Sequence, residues 1–219
     1  METFWILGAG HFGSLAAQRL LQQKRDCTVL LVDKEAEALR QLEAEPVEVV
    51  KKDAIDFLVD YRGLGHEWIV PAIPVHVGFA WLCRQLAKEG VVTRLSVPSV
   101  MEHQVPNPLR AEEGTLYTSF ATFRCPDDCD EPAEICTVTG KAREADLFDL
   151  IGDLQVEGYV IRILRSQQLA PGVGGYRLSA LWRLLEEVCS VAEQILVATA
   201  CRCHGVIDAL RFNRKEQNA

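Results

Sequence analysis

The stretch FWILGAGHFGSLAAQRLLQQKRDCTVLLVD, residues 4 to 33, constrains the fold more than any other part of the chain. Phe4 to Leu7 form a short apolar strand, and Gly8, Gly10 and Gly13 then fall in the spacing G-x-G-x-x-G. A helical pattern runs from about Phe12 to Gln23, and a second apolar strand, Thr28 to Val32, ends at Asp33. Each glycine has its own physical reason. The first permits the tight turn, the second lets a pyrophosphate approach the backbone, and the third lets the helix pack on the strand. The helix N-terminus offers unpaired N–H groups and partial positive charge to the phosphates. Asp33, twenty residues after Gly13, is placed to accept hydrogen bonds from a ribose, and its charge would repel a 2′-phosphate. Together these imply NAD(H) rather than NADP(H).

A fourth strand, EWIVPAI, precedes a helical PVHVGFAWLCRQLAKEG. Ligands of open α/β sheets sit beyond the carboxyl ends of the strands, so Ala72, Ile73 and His76 are expected near the cofactor. His76 is a candidate acid–base group.

The segments ILGAGHFGSLAAQRL, VLLVDKEAEAL and VEVVKKDAIDFL resemble the nucleotide-binding domains of potassium-uptake regulators, the TrkA-N or RCK type. In that family the third element ends Gly-Asp-Ala, with the Asp near the adenine. Here it reads Lys52-Asp53-Ala54, so the Asp carries over and the glycine does not. The resemblance spans about residues 4 to 75 and implies NAD(H), or an adenine nucleotide, as ligand. The expected cofactor contacts are therefore Gly8, Gly10, His11, Phe12, Gly13, Asp33, Lys34, Asp53, Ala54, Ala72 and Ile73. Potassium transport is not implied, because no familiar regulatory partner domain follows.

Pro98, Pro106 and Pro108 mark a connector over residues 98–114, between a dinucleotide domain (1–97) and a second α/β domain (115–219). In the second domain strands are expected at 115–123, 159–164 and 194–200, and helices at 144–154 and from about Tyr176, with GVIDALRF as a short final helix. The alternation implies a parallel βαβαβ half after the doubly wound, Rossmann-like first half. It also sets three unusual segments at the carboxyl ends of three strands: RCPDDCDEPAEIC, RSQQLAPGVGGY and CRCHG.

The first of these holds three of the chain's eight cysteines and five carboxylates. Carboxylates disfavour thiolates, so this is a poor setting for a free nucleophilic cysteine. A bound cation reverses that, since coordination deprotonates thiols. Cys125, Cys129, Cys136, Cys201, Cys203 and His204 are the candidate ligands, for an iron–sulfur cluster or zinc. Their spacing matches no standard zinc or ferredoxin motif. Arg165 and His204 join His76 as candidate catalytic groups. Gly172, Gly174 and Gly175 suggest an anion cradle ahead of a helix.

The net charge of −8 argues against a nucleic-acid partner, and no apolar run reaches the about 18 to 20 residues that span a bilayer. A cytoplasmic homodimer acting on a small molecule or an electron-transfer partner is expected. The reading is an NAD(H)-binding redox protein, with an oxidoreductase among its forms. The alternative is an NAD(H)-binding redox sensor without turnover.

Overall fold

The computed structural model describes residues 1–24, 26–40, 46–61, 63–191 and 194–215. The first sheet begins as the sequence implies, with strands β1 (Glu2–Leu7), β2 (Cys27–Asp33), β3 (Glu48–Lys51) and β4 (Trp68–Pro71). Helix α1 (His11–Gln23) joins β1 to β2, α2 (Ala36–Arg40) follows β2, and α3 (Ala54–Asp60) follows β3. These strands run parallel in the order β3-β2-β1-β4.

After α4 (Val77–Leu86) come β5 (Gly90–Leu95), a 3-10 turn (Ser99–His103), β6 (Leu109–Arg110) and β7 (Leu116–Ser119). A long loop leads to α5 (Leu147–Gly152), β8 (Tyr159–Arg165), β9 (Gln167–Ala170), β10 (Val173–Arg177), α6 (Leu178–Cys189), β11 (Gln194–Ala200) and β12 (His204–Arg214). The second sheet has the order β6-β7-β12-β11-β8, with β5 also paired to β12. The fold is α/β with two mixed sheets and a Rossmann-like first half.

Strand pairing crosses the expected domain boundary in both directions. β10 pairs antiparallel with β4, so the β9–β10 hairpin extends the first sheet. β5 runs antiparallel to the far end of β12 and so belongs to the second. The glycines expected as an anion cradle are part of that hairpin: Gly172 makes its turn and Gly174 and Gly175 lie in β10.

Two further details depart from expectation. The second sheet is not wholly parallel, since only β8 and β11 pair in that sense. GVIDALRF is strand, within β12, and not helix. Both faces of β12 are covered: Ile207 and Ala209 join the core around α5, while Leu210 and Phe212 join the core between the sheets. A strand buried on both sides loses the polar–apolar alternation that announces a strand.

Helices α3, α4 and α6 contribute to a core that also takes Trp5 and Ile69 from the first sheet and Val197 and Leu210 from the second. Trp81 of α4 is fully buried there, and its indole donates to the Leu58 carbonyl. Each such large side chain contributes about 1.5–3 kcal/mol of burial free energy. α1 covers the opposite face of the first sheet, and α5 that of the second. Among the described residues no helix is long and apolar enough to cross a membrane.

Candidate functional site

The turn between β1 and α1 has the packing that its glycines imply. Gly8 has φ +113°, and a Cβ there would lie 2.7 Å from the Ala72 carbonyl oxygen. A Cβ on Gly13 would lie 1.8 Å from the Gly8 carbonyl oxygen, whereas Gly10 has open space around its Cβ position. Ala72 donates its N–H to Leu7, and Ile73 packs beside Gly8, so both close this turn from β4. An open cavity of about 700 Å³ lies between the first turns of α1 and α2, lined by Gly10, His11, Ser14, Glu35 and Ala38 among others.

Asp33 accepts the Ala9 N–H on one carboxylate oxygen at 2.7 Å and the Glu35 N–H on the other at 2.9 Å. Each oxygen keeps a further lone pair for a ribose hydroxyl. Lys34 is exposed, Ala54 is buried, and Asp53 caps α3 by accepting from the Ile55 and Asp56 N–H groups. The capping accounts for Asp53 structurally.

The three carboxyl-end segments of the second half do converge. β7 and β11 both run antiparallel to β12, and β8 runs parallel to β11, so the three end on one edge. Cys125 Sγ lies 3.7 Å from His204 Nε2, although 79 residues separate them. Cys201 Sγ lies 3.9 Å from His204 Nδ1. Phe120 donates its backbone N–H to the Cys203 carbonyl, and Gly172 donates to the Cys129 carbonyl.

Arg143 clamps this arrangement. Its guanidinium donates to the Pro132 carbonyl on one loop, and on the other to the Arg202 carbonyl and, at 2.8 Å, to Cys203 Sγ. Replacing Arg143 by Ala removes donors from both loops at once. Amide hydrogen exchange over residues 124–143 and 201–204 is expected to rise, and Arg143→Lys is expected to restore little of the protection because one ammonium cannot reproduce a planar fork. Unchanged exchange in the Ala variant would remove the clamp.

Two cavities share this edge. One, of about 390 Å³, is lined by Cys125, Cys129, Cys136 and Cys203 with apolar walls that include Phe120 and Phe123. The other, of about 520 Å³, is lined by Cys125, Cys129, Cys201, Cys203 and His204, and also by Phe12 from the first turn of α1. The six expected ligands are therefore not one coordination shell. Among the described residues no three His, Cys, Asp or Glu side chains are gathered tightly enough to hold a metal ion.

Burial, and then the proximity of Cys129, Cys203 and Cys136, raises the Cys125 thiol above its ordinary range. Burial also raises Cys203, opposed by Arg143. Cys201 is pushed up to about 12 by burial, with Glu131 adding to the effect. Cys136 goes the other way, because the Thr139 hydroxyl and the Thr139 and Val138 N–H groups bond to its sulfur. Outside this edge, burial raises Cys27, Cys83 and Cys189, as suits small packed hydrophobes.

The candidate catalytic groups are held by the protein itself. His76 has both ring nitrogens engaged, Nδ1 with Asp208 at 2.9 Å and Nε2 with the Thr199 hydroxyl at 2.8 Å, and its side chain is 5% exposed. It links α4 to the second sheet and does not face the Gly8–Gly13 turn. Arg165 stacks on Phe148 with 4.0 Å from its guanidinium to the ring centre, beside a separate cavity shared with Arg202. Burial lowers the basicity of His204, which faces two sulfurs.

Several structural partners carried no sequence signal. Asp208 accepts from Thr115 and Arg94 besides His76, and Arg19 of α1 donates to the Asp127 and Pro171 carbonyls. Arg19 thereby ties the dinucleotide helix to the cysteine loop, where His11 also lies 3.4 Å from Asp127.

Comparison with known proteins now adds to this geometry. A TrkA-N domain model matches residues 4–59. A second model, described as "Uncharacterized protein, C-terminal domain", matches residues 78–213, more than half of the chain. The chain belongs to that family. Its match begins at Gly78, so it takes in α4, β5 and the β9–β10 hairpin as well as the cysteine loops. A protein of Archaeoglobus fulgidus, described as "Uncharacterized protein", is 30% identical over 224 residues, covering 94% of this chain and 98% of that one.

Proposed function

We propose that this chain is an NAD(H)-binding redox protein, with the dinucleotide on the Gly8–Gly13 turn and a Cys-ligated metal or cluster on the neighbouring edge. The TrkA-N match and the geometry of the glycine turn support the nucleotide half. One observation carries the pairing of the two halves: Phe12, in the first turn of the dinucleotide helix, lines the same cavity as Cys125, Cys129 and Cys203. An electron donor bound at that helix would border the thiol site. A small-molecule substrate or an electron-transfer protein is the proposed partner, and the metal's part is electron transfer or the fixing of the three loops.

Asp33 sets the proposed preference for NAD(H). Its carboxylate, bonded to the N–H groups of Ala9 and Glu35, two residues that line the cavity, disfavours a 2′-phosphate. Calorimetric titration is expected to show tighter NAD(H) than NADP(H) binding. Asp33→Ala is expected to weaken NAD(H) by about 1–3 kcal/mol, the size of a lost charge-assisted bond. Equal affinity of the parent for both dinucleotides would refute the assignment. Steady consumption of NADH with a one-electron dye as acceptor tests the redox role.

A sensor without turnover is the second reading, and the contacts of Arg19 and His11 with Asp127 favour it. Through them, a change in α1 reaches the cysteine loop directly. NADH binding without dye reduction, accompanied by altered hydrogen exchange over residues 124–136, is its expected signature.

A further inference from the structure

We propose that Cys125, Cys129, Cys136 and Cys203 are the four ligands of a polynuclear iron–sulfur cluster seated in the cavity of about 390 Å³ that all four line. The proposal rests on the metal half of the function proposed above and narrows it to one kind of site and one ligand set.

Position comes first. Three of the thiols are on the loop after β7, and Cys203 is on the turn between β11 and β12. Strand polarity brings those segments to one edge. Arg143, bonded to Pro132 and Cys203, holds them there.

Three of the four sulfurs also have an N–H group near them. Cys129 accepts from the Glu131 backbone N–H at 3.4 Å. Cys203 accepts from Arg143, and Cys125 has His204 Nε2 at 3.7 Å, a donor in the tautomer protonated there. Hydrogen bonds to ligand sulfurs tune a bound cluster. The Arg143 charge offsets part of the negative charge that four thiolates bring.

The size of the shared cavity selects the kind of group. A zinc ion needs its donors within about 2.3 Å of one point. The four cysteines instead line a cavity of about 390 Å³, far larger than one ion needs. A cluster brings its own iron and sulfide and suits ligands spread around a cavity. Phe120, Phe123 and Val138, themselves partly open to solvent, give the cavity apolar walls, and such walls limit solvent access to a bound group. Cys201 and His204 line only the neighbouring cavity and act from behind the ligand shell.

The test uses the full chain, purified without oxygen and then reconstituted with ferrous and ferric iron and sulfide. Iron and acid-labile sulfide per chain are measured, with visible absorption before and after dithionite. Both elements are expected in the parent, with bleaching on reduction. Cys125→Ser, Cys129→Ser, Cys136→Ser and Cys203→Ser are each expected to lose most of both, whereas Cys201→Ser retains them. Protection of thiols from alkylation, read by mass spectrometry on the loaded and chelator-stripped parent, gives the ligand set without any variant that must fold. Protection of Cys125, Cys129, Cys136 and Cys203 over Cys201 supports the proposal. One zinc per chain, without sulfide and held by these thiols, would overturn the cluster while leaving the metal reading intact. Protection of Cys201 in place of Cys136 would overturn the ligand set. A parent that takes up no metal under any of these conditions removes both readings, while leaving NAD(H) binding to its own titration.

Discussion

Asp208→Ala is expected to lower the unfolding free energy by about 3 kcal/mol, read as a drop in the denaturant midpoint at unchanged slope. Asp208 is 1% exposed, and its carboxylate accepts from His76, Thr115 and Arg94. Removing it leaves His76 in the interior without its acidic partner. The figure is at the low end for a broken buried pair because Arg94 is 41% exposed and regains water.

The pH dependence follows from the same contacts. Burial pushes the Asp208 carboxyl up, but hydrogen bonds from His76, Thr115 and Arg94 and the charge of His76 outweigh it, and the net direction is down. A depressed folded value contributes stability that is complete above the ordinary aspartate value of about 3.9 and disappears as pH falls through the folded value. The acid limb of the stability profile is therefore expected to flatten in Asp208→Asn. A parent and variant with parallel acid limbs would show that this network contributes nothing.

The glycine turn offers a second large effect, and one that separates folding from binding. Gly13→Ala sets a methyl group 1.8 Å from the Gly8 carbonyl, so α1 must move off β1. A loss of about 3 kcal/mol is expected, the upper part of the range for overpacking, together with loss of dinucleotide binding. Gly10→Ala meets nothing within 4 Å and is expected to fold with the parent's stability. Its methyl group fills the space a pyrophosphate would enter, so NAD(H) affinity is expected to fall at least about tenfold, or about 1.4 kcal/mol. A Gly10→Ala protein that binds NAD(H) as the parent does would move the dinucleotide away from this turn.

The sequence announced these two sites unequally. Residues 4 to 33 were legible because the strand, turn and helix signals are local and the glycines answer to contacts a few residues away. The convergence of the thiols was legible for a different reason: strand polarity decides which loops share an edge, and polarity survives errors in the pairing order. β12 carries no strand period in its sequence, because both its faces are covered. The β9–β10 hairpin has the composition of a glycine-rich loop, since nothing within it reports that β4 lacks a neighbour. His76 drew attention as an isolated histidine after a strand, yet its partners Asp208 and Thr199 lie more than a hundred residues away. Arg143 and Arg19 act through backbone carbonyls, which carry no residue identity to be recognised.

The addition of β10 to β4 has a temporal consequence. β4 ends at Pro71 and its neighbour begins at Val173, so about a hundred further residues must leave the ribosome before that edge is paired. At about 5–20 residues per second, Trp68, Ile69 and Val70 present an open strand edge for roughly 5 to 20 s. During that interval a nascent chain bears half a Rossmann sheet with an apolar border, ready to pair with another copy. The interval is long compared with hairpin formation, which takes on the order of microseconds. Arrival of β10 closes that edge, while β5 waits longer still, for β12, the last strand to be made.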